Sequence, residues 1–481
     1  MNLPQAFEIT MRELLQDEAA SFFAALDEQP PVSVRYNPQK GELAVSHLFE
    51  TLKDGRVPWA DQAYYLAQRP AFTFDPCLHA GCYYVQEASS MFVTQALKVA
   101  LHRLSITGYP LMALDLCAAP GGKSTLVRSL LPEDSLLVAN EVVGSRARIL
   151  QENLTKWGSP SVMVTQNEAA DFGKLGALFD LLLVDAPCSG EGLFRKDEGA
   201  VGEWSPDAVR QCAMRQSSIL RDCLPALKPG GYLIYSTCTY NNEEDEAMVQ
   251  WLVEQEGLLP VPLPVEPGWG VTNALPTGHV DLPVYRFLPH KTKGEGFFLC
   301  LLQKPESAVM PRDFETVRYE KTAKQSKHVV KKREATTLIP DKVKKSLVNP
   351  DAYHWSTTKQ GLIRALPVNL LSEILFLEGN LRVLQAGVTV GETKGEQFLP
   401  HPALALSTAL NRAAFPVCDL DLKQAVDFLR REALVLPADC PLGWVLVTYA
   451  DKALGWVKNV GNRANNNWPV EWRIRSNNPF A

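Results

Sequence analysis

Apolar positions follow two rhythms along this chain. Between 109 and 303, short apolar runs at 111–116, 136–139, 162–164, 179–184 and 232–235 alternate with stretches of helical periodicity such as 145–157 and 207–227. The second of these stretches is stopped by Lys228-Pro229-Gly230-Gly231. The alternation predicts a parallel sheet with crossover helices, an α/β, Rossmann-like fold. Ahead of it, 1–108 reads as an amphipathic helix, a Pro-rich extended part over 29–37, then turns and a segment at 83–91 that opens another helix. Behind it, from about 351, strands are short and closely spaced, and runs at 443–449 and 454–458 flank Asp451-Lys452 like the arms of a hairpin. The expected layout is an α+β domain over 1–108, the α/β domain over 109–303, a linker over 304–350, a first C-terminal domain over 351–410 and a second, strand-rich one over 411–481.

Length agrees with this, since 481 residues allow two to four domains of roughly 100–200 residues each. With 46% hydrophobic and 21% charged residues, and no run near the ~18 apolar residues of a membrane span, the chain is expected to be soluble, cytoplasmic and free of membrane contact. Its acidic amphipathic start does not read as a signal peptide. The ten cysteines are scattered, so reduced thiols are expected. Cys77 and Cys82 have a ligand-like spacing but no second Cys or His pair to match, so no metal is expected. A net charge of −6 does not suggest nucleic acid by itself, and any such binding must use local basic surface. Lys321, Lys324, Lys327, Lys331, Lys332, Arg333, Lys342 and Lys344 outnumber Glu320, Glu334 and Asp341 in the linker. Taken alone, such a run reads as a solvated connection.

The strand at 111–116 runs into Cys117-Ala118-Ala119-Pro120-Gly121-Gly122-Lys123-Ser124-Thr125, which opens a helix. Adjacent glycines let a ligand approach the backbone, and a helix start offers free N–H groups. Gly122-Lys123-Ser124 also matches the end of a phosphate-binding loop, but that motif needs glycine where this chain has Cys117. Glu141 ends the second strand, where an acid in such folds accepts both hydroxyls of a ribose. Asn167-Glu168 follow the third strand and Asp185 ends the fourth, so polar groups gather at one edge of the sheet, where ligands bind. Carboxylates repel phosphate, which favours a nucleoside-type cofactor over a nucleotide.

Two cysteines add chemistry to this edge. The fourth strand ends Asp185-Ala186-Pro187-Cys188-Ser189-Gly190 and the fifth Ser236-Thr237-Cys238-Thr239, and in a doubly wound sheet these ends are neighbours. Carbon 5 of cytosine is a poor nucleophile until a thiolate adds to carbon 6. A second group must then remove the carbon 5 proton, so that elimination frees the enzyme. A thiolate is both a strong nucleophile and a competent leaving group. Asp185 is placed to hydrogen-bond ring N3 when one of the two carries a proton. As thiols, Cys117, Cys212, Cys223 and Cys300 read as inert packing.

Five segments closely resemble the Sun/Fmu-type family of RNA cytosine-5 methyltransferases: Ser33-Val34-Arg35-Tyr36-Asn37, Gln86-Glu87-Ala88-Ser89-Ser90-Met91, 115–123, 185–190 and Ser236-Thr237-Cys238-Thr239. The resemblance spans about 30–303. It implies a class I methyltransferase domain, with Cys238 as covalent nucleophile and Cys188 as the thiol that helps release the product. It also implies contact with S-adenosylmethionine through Cys117, Ala118, Ala119, Pro120, Gly121, Gly122, Lys123, Glu141 and Asp185. Many relatives carry Asp after the third strand where this chain has Glu168, which is kept as an adenine-side contact. The N-terminal part resembles an RNA-binding fold, in which Arg35 and Asn37 suit RNA contact or a structural brace equally.

The tail, with Gly391, Lys394, 400–406 and the 444–458 hairpin, looks like that of the RsmF-type branch, which carries a PUA-like RNA-binding domain and modifies 16S ribosomal RNA of the small subunit. The expected partner is therefore that RNA, and the basic linker is expected to touch phosphate. A monomer suffices, because tethered RNA-binding modules raise local concentration. A cytosine stacked in a duplex has to be flipped out at a cost of about a few kcal/mol. Two other readings stay open, a transfer RNA cytosine-5 methyltransferase and a non-catalytic ribosome-assembly factor. A DNA methyltransferase is expected to carry a duplex-recognition region, and only the PUA-like tail is found.

Overall fold

The computed structural model describes residues 2–41, 52–104, 110–275, 282–307 and 339–476. At the N-terminus, the periodicity suggests one helix but two form, Gln5–Leu15 and Ala19–Leu26, because Gln16 at φ +50° interrupts the helical backbone between them. Strands β1 (Val32–Tyr36), β2 (Lys53–Arg56), β3 (Ala63–Leu66) and β4 (Tyr83–Val85) then make an antiparallel sheet in the order β2-β3-β1-β4.

The middle of the chain contributes β5 (Met112–Asp115), β6 (Leu136–Asn140), β7 (Val162–Thr165), β8 (Phe179–Asp185) and β9 (Leu227–Thr237). Strands β5, β6 and β7 pair in parallel to one side, and β8 and β9 in parallel to the other. Chain order thus reverses between β5 and β8, which opens a crevice at their carboxyl ends. Alternate residues feed opposite faces: Ala113, Leu137, Val164 and Leu183 enter one core, while Leu114, Val138, Met163 and Leu182 enter the other. Burial on both faces explains why these strands read as continuous apolar runs. Strand β12 (Phe297–Gln303) adds antiparallel to β9, and β10 (Leu259–Pro260) and β11 (Val284–Phe287) share its outer edge. One boundary differs from expectation. The helix Pro206–Cys223 gives way at Leu224-Pro225 to a short 3-10 turn, and Lys228-Pro229-Gly230-Gly231 already belongs to β9.

In the C-terminal part, β13 (Tyr353–Thr357), β14 (Ile363–Pro367), β16 (Val388–Lys394) and β17 (Gln397–Pro400) form a sheet. Between β14 and β16, β15 (Val383–Ala386) leaves that sheet and pairs antiparallel with β7. It covers an edge that would otherwise expose unpaired backbone groups. Among the described residues the central sheet therefore has nine strands, one of them from the region expected as a first C-terminal domain.

Strands β18 (Val417–Asp419), β19 (Gly443–Tyr449), β20 (Lys452–Asn459) and β21 (Ala464–Asn466) build the last sheet. The β19–β20 hairpin turns through Ala450 and Asp451, both at positive φ, one residue earlier than the sequence suggests. This unit is docked and does not hang from a tether. Its Leu420, Phe428, Val445 and Trp468 share one core with Val34, Tyr36, Tyr64 and Cys77 of the N-terminal part. Two glycines let the catalytic domain approach its neighbours closely: a Cβ on Gly81 of the N-terminal part would stand 1.8 Å from the Lys156 carbonyl oxygen, and one on Gly158 2.3 Å from that of Leu406.

Most of the basic linker, 308–338 with Lys321 to Arg333, lies outside the described residues. By Val343 and Leu347 the chain is buried again. Among the described residues no helix is long and apolar enough to cross a membrane.

Candidate active site

The loops after β8 and β9 run side by side, held where the Ala186 N–H donates to the Ser236 carbonyl at 2.9 Å. That pairing brings Cys188 Sγ to 3.1 Å from Cys238 Sγ, and the Cys238 N–H donates to Cys188 Sγ at 3.4 Å. Both thiols are free and half-buried. The hydrogen bond to Cys238, and after it burial, raise the Cys188 pKa well above that of an ordinary thiol. Cys188 thus keeps its proton at neutral pH.

Asp185, at the end of β8, accepts from Lys123 Nζ at 2.7 Å on one oxygen and from Ser236 Oγ at 2.8 Å on the other. Burial works against the Lys123 ammonium, but the Asp185 carboxylate more than offsets it, so the lysine pKa rises above its usual value. The ammonium also lies 5.2 Å from the Phe297 ring centroid. A lysine committed to a carboxylate is not the free phosphate ligand of a P-loop, in keeping with Cys117 at the motif's first position.

The glycine loop is shaped by its neighbours as much as by any ligand. Gly121 sits at φ +116° ahead of the helix Gly122–Leu130, and a Cβ on Gly122 would approach Tyr84 Cε1 to 3.3 Å. Gly122 therefore lets the N-terminal sheet pack on the loop, a reason not visible in the sequence. Arg35 fastens that contact, donating from Nη2 to the Gly122 carbonyl at 3.1 Å and to Thr125 Oγ1 at 2.6 Å. Asn37 donates from Nδ2 to the carbonyls of Gly81 and Trp157. Both side chains are buried, which makes them braces.

Ala118 donates its N–H to the Asn140 carbonyl, and the carbonyls of Ala119 and Pro120 accept from Arg146 and Asn153. The sequence reading missed Asn140. Its Nδ2 donates to the carbonyls of Leu116 and Asn167, tying together the ends of β5, β6 and β7. Polar residues that close buried strands are the signal that marks it.

Cys117 is half-buried beside Asp115, Asp185 and Glu141, and desolvation, followed by these carboxylates, pushes its thiol up. Glu141 is buried, accepts from the Val143 N–H at 2.9 Å, and stands 3.5 Å from Arg146. Glu168 sits apart in character, exposed at the cap of the short helix Ala169–Gly173, where its N–H donates to Asp171 at 3.3 Å.

Asp115 gives this crevice a direct test of fit. One carboxylate oxygen accepts from Ser124 Oγ at 2.6 Å, while the other is buried with no hydrogen-bond partner. A spare buried acceptor together with the Glu141 carboxylate suits a ligand rich in hydroxyl and amine donors, as a nucleoside is. Burial raises the Asp115 pKa to about 7. The folded protein therefore holds this proton up to about pH 7, while the unfolded chain releases it near its ordinary value of 3.8, and stability falls as pH rises between the two. Asp115→Asn should flatten that part of the melting-temperature profile, by ~4 kcal/mol at most at pH 7. Parallel profiles for the two proteins would refute this.

Comparison with known proteins agrees along the chain. Residues 110–303 match the family described as 16S rRNA methyltransferase RsmB/F, 3–88 the N-terminal domain of 16S rRNA methyltransferase RsmF, and 415–474 the methyltransferase RsmF PUA domain. The ribosomal RNA small subunit methyltransferase F of Erwinia tasmaniensis is 30% identical, with 97% of this chain and 96% of that protein covered. Its namesake from Aliivibrio fischeri is 31% identical, with 99% of each covered. The crystal structure of a methyltransferase homolog protein from Pyrococcus horikoshii matches with a TM-score of 0.53 at 29% identity, covering 63% of this chain and 95% of its own. Matched at both ends and in the middle, the chain belongs to the 16S rRNA methyltransferase RsmB/F family and is an RNA methyltransferase.

Proposed function

We propose that this chain methylates carbon 5 of a cytidine in 16S ribosomal RNA of the small subunit, using S-adenosylmethionine and a covalent adduct on Cys238. The observation that carries the chemistry is the pair of sulfurs 3.1 Å apart at neighbouring strand ends. The names of its relatives support the ribosomal substrate, and the PUA match supports an RNA partner. Working on that particle, the enzyme acts in the cytoplasm.

When bound, S-adenosylmethionine supplies an electrophilic methyl group on a sulfonium sulfur. The backbone of Cys117 to Lys123 and the Glu141 and Asp115 carboxylates are the groups to hold it, with Glu168 a remoter adenine-side contact. Cys238, as thiolate, forms a bond from Sγ to carbon 6 of the base, which moves the ring's electron pair to carbon 5. Asp185 has a free lone pair on each oxygen beyond its bonds to Lys123 and Ser236, so it accepts from an N–H of the base and steadies this addition. Until the bond forms, Cys238 keeps Cys188 protonated. Once Cys238 is a thioether the largest of the restraints on Cys188 is gone, and Cys188 gives its proton to solvent. Its thiolate then takes the carbon 5 proton. The electron pair of the broken C–H bond restores the 5,6 double bond and expels Cys238 as thiolate.

The test incubates the protein with labelled S-adenosylmethionine and, separately, free 16S RNA, assembled small subunits and transfer RNA, then identifies the labelled nucleoside. Label as 5-methylcytidine in a ribosomal sample is expected. Label in transfer RNA keeps the chemistry and overturns the substrate, whereas label in another nucleoside overturns the two-cysteine chemistry. Cofactor binding without label in any RNA would favour the assembly-factor reading.

A further inference from the structure

Two buried carboxylates beside the cysteines take no part in the chemistry above. Glu191 follows Cys188 closely in the chain, and Glu244 follows Cys238, but each reaches across to the other's loop. One oxygen of Glu191 accepts from Thr239 Oγ1 at 2.6 Å, the Tyr240 N–H at 2.8 Å and the Asn241 N–H at 3.0 Å. Its other oxygen accepts from Trp204 Nε1 at 2.9 Å. Glu244 accepts from the Ser189 N–H at 3.0 Å and from Asn241 Nδ2 at 2.8 Å. Gln216 Nε2 links Glu244, at 2.7 Å, to the Pro187 carbonyl, at 3.0 Å. Directly between the loops, the Gly192 N–H donates to the Cys238 carbonyl at 2.9 Å.

Glu191 and Glu244 are 2% and 0% exposed, and among the described residues neither forms an ion pair. Their burial is compensated by hydrogen bonds alone. Negative charge next to a thiol opposes its ionisation, so the two carboxylates do not activate the nucleophile. What they have in common is the direction of their bonds, from one cysteine's loop to the other's.

We infer that Glu191 and Glu244 are positioning residues, a reciprocal clamp that holds Cys188 Sγ and Cys238 Sγ in contact. The consequence for turnover rests on the two-cysteine reading above, whereas the geometric part stands without it. The clamp requires carboxylates. The Tyr240, Asn241 and Trp204 groups that bind Glu191 are fixed N–H donors, so an amide in its place sets its own N–H₂ against a donor whichever way it turns.

The test closes a Cys188–Cys238 disulfide in the full chain with a diazenedicarboxamide oxidant. Two thiols give up two protons and two electrons, the diazene becomes a hydrazine, and an S–S bond forms. The rate is read by alkylating the remaining thiols and mapping peptides, which separates this pair from the other cysteines. Glu191→Gln and Glu244→Gln are expected to close the bond at least about tenfold more slowly than the parent chain, because small displacements of reacting atoms cost rate steeply. Thr239→Val, which at nearly constant shape removes the hydroxyl that bonds Glu191, Ser189 Oγ and Asn241 Nδ2 but leaves both carboxylates, is expected to slow closure less, about threefold. Melting temperature identifies any variant that has not folded, and Thr239→Val keeps the comparison decisive if both glutamine variants fail. In methylation assays the folded variants should lower kcat with little change in the KM for RNA. Parent-like closure rates in the folded variants would overturn the clamp. Since closure needs neither cofactor nor RNA, a wrong substrate or reaction would leave this result standing.

Discussion

Cys238→Ala should abolish methyl transfer, lowering turnover by at least about a thousandfold, while Cys188→Ala should leave a protein–RNA adduct that accumulates. On the proposed mechanism the two outcomes differ because the cysteines act on opposite sides of one intermediate. Without Cys238 no Sγ–carbon 6 bond forms, and carbon 5 never gains the electron pair it needs. Without Cys188 that bond still forms, but no base stands at the 3.1 Å contact to take the carbon 5 proton. Elimination then stalls with Cys238 attached to the RNA. A denaturing gel of labelled RNA incubated with protein and S-adenosylmethionine reads both results, the adduct appearing as a slowly migrating band. Full activity in Cys238→Ala would remove the nucleophile assignment, and a band from Cys238→Ala but none from Cys188→Ala would exchange the two roles.

The largest expected effect on stability comes from Arg286. Its side chain is 1% exposed under the loop that carries Cys238. It donates from Nε to Glu246 at 2.7 Å and from Nη2 to the same carboxylate, and from Nη1 to the Tyr240 carbonyl at 2.9 Å. Nη1 also stands 3.0 Å from an Asp245 oxygen. Arg286→Met should cost about 3–5 kcal/mol, because it leaves two adjacent buried carboxylates without their cation. Burial already raises the Asp245 pKa, and Arg286 is the group that opposes the rise. In the variant, then, the folded state binds protons that the unfolded chain has released. Stability is retained at low pH and lost as pH climbs, so the deficit should be far greater at pH 8 than near pH 4. Thermal unfolding across that range checks it; a deficit below about 1 kcal/mol throughout would show the arginine to be dispensable.

The central sheet was readable because strands covered on both faces appear as unbroken apolar runs, and the runs at 136–139, 162–164 and 179–184 each extend by a single residue in the structure. The two thiols were readable because parallel strands that are neighbours in the sheet end side by side. The groups that hold them were not. Glu191 and Glu244 look in sequence like ordinary surface polar residues, and only the close approach of loops some fifty residues apart buries them. Strand β15 is short, contains a glutamine and pairs with a strand far away in the chain, so nothing local announces it. The end of the helix Pro206–Cys223 was sought at a conspicuous Pro-Gly-Gly, although Pro225 had already removed the N–H needed to continue. Glu168 reads in sequence as a polar residue after a strand, and its role as a helix cap depends on the turn that follows.

With β15 completing the catalytic sheet and the last domain sharing its interior with the first, the molecule works as a gauge. Among the described residues the outer sheets are packed against the catalytic part, so any RNA-binding surface they carry stands at a set offset from the crevice. On the proposed function, an RNA whose own tertiary form offers a cytosine at that offset is expected to be preferred to the same nucleotides in a loose fragment. Choice among the many cytosines of a large RNA would then rest on the fold of the RNA around the target more than on the bases beside it.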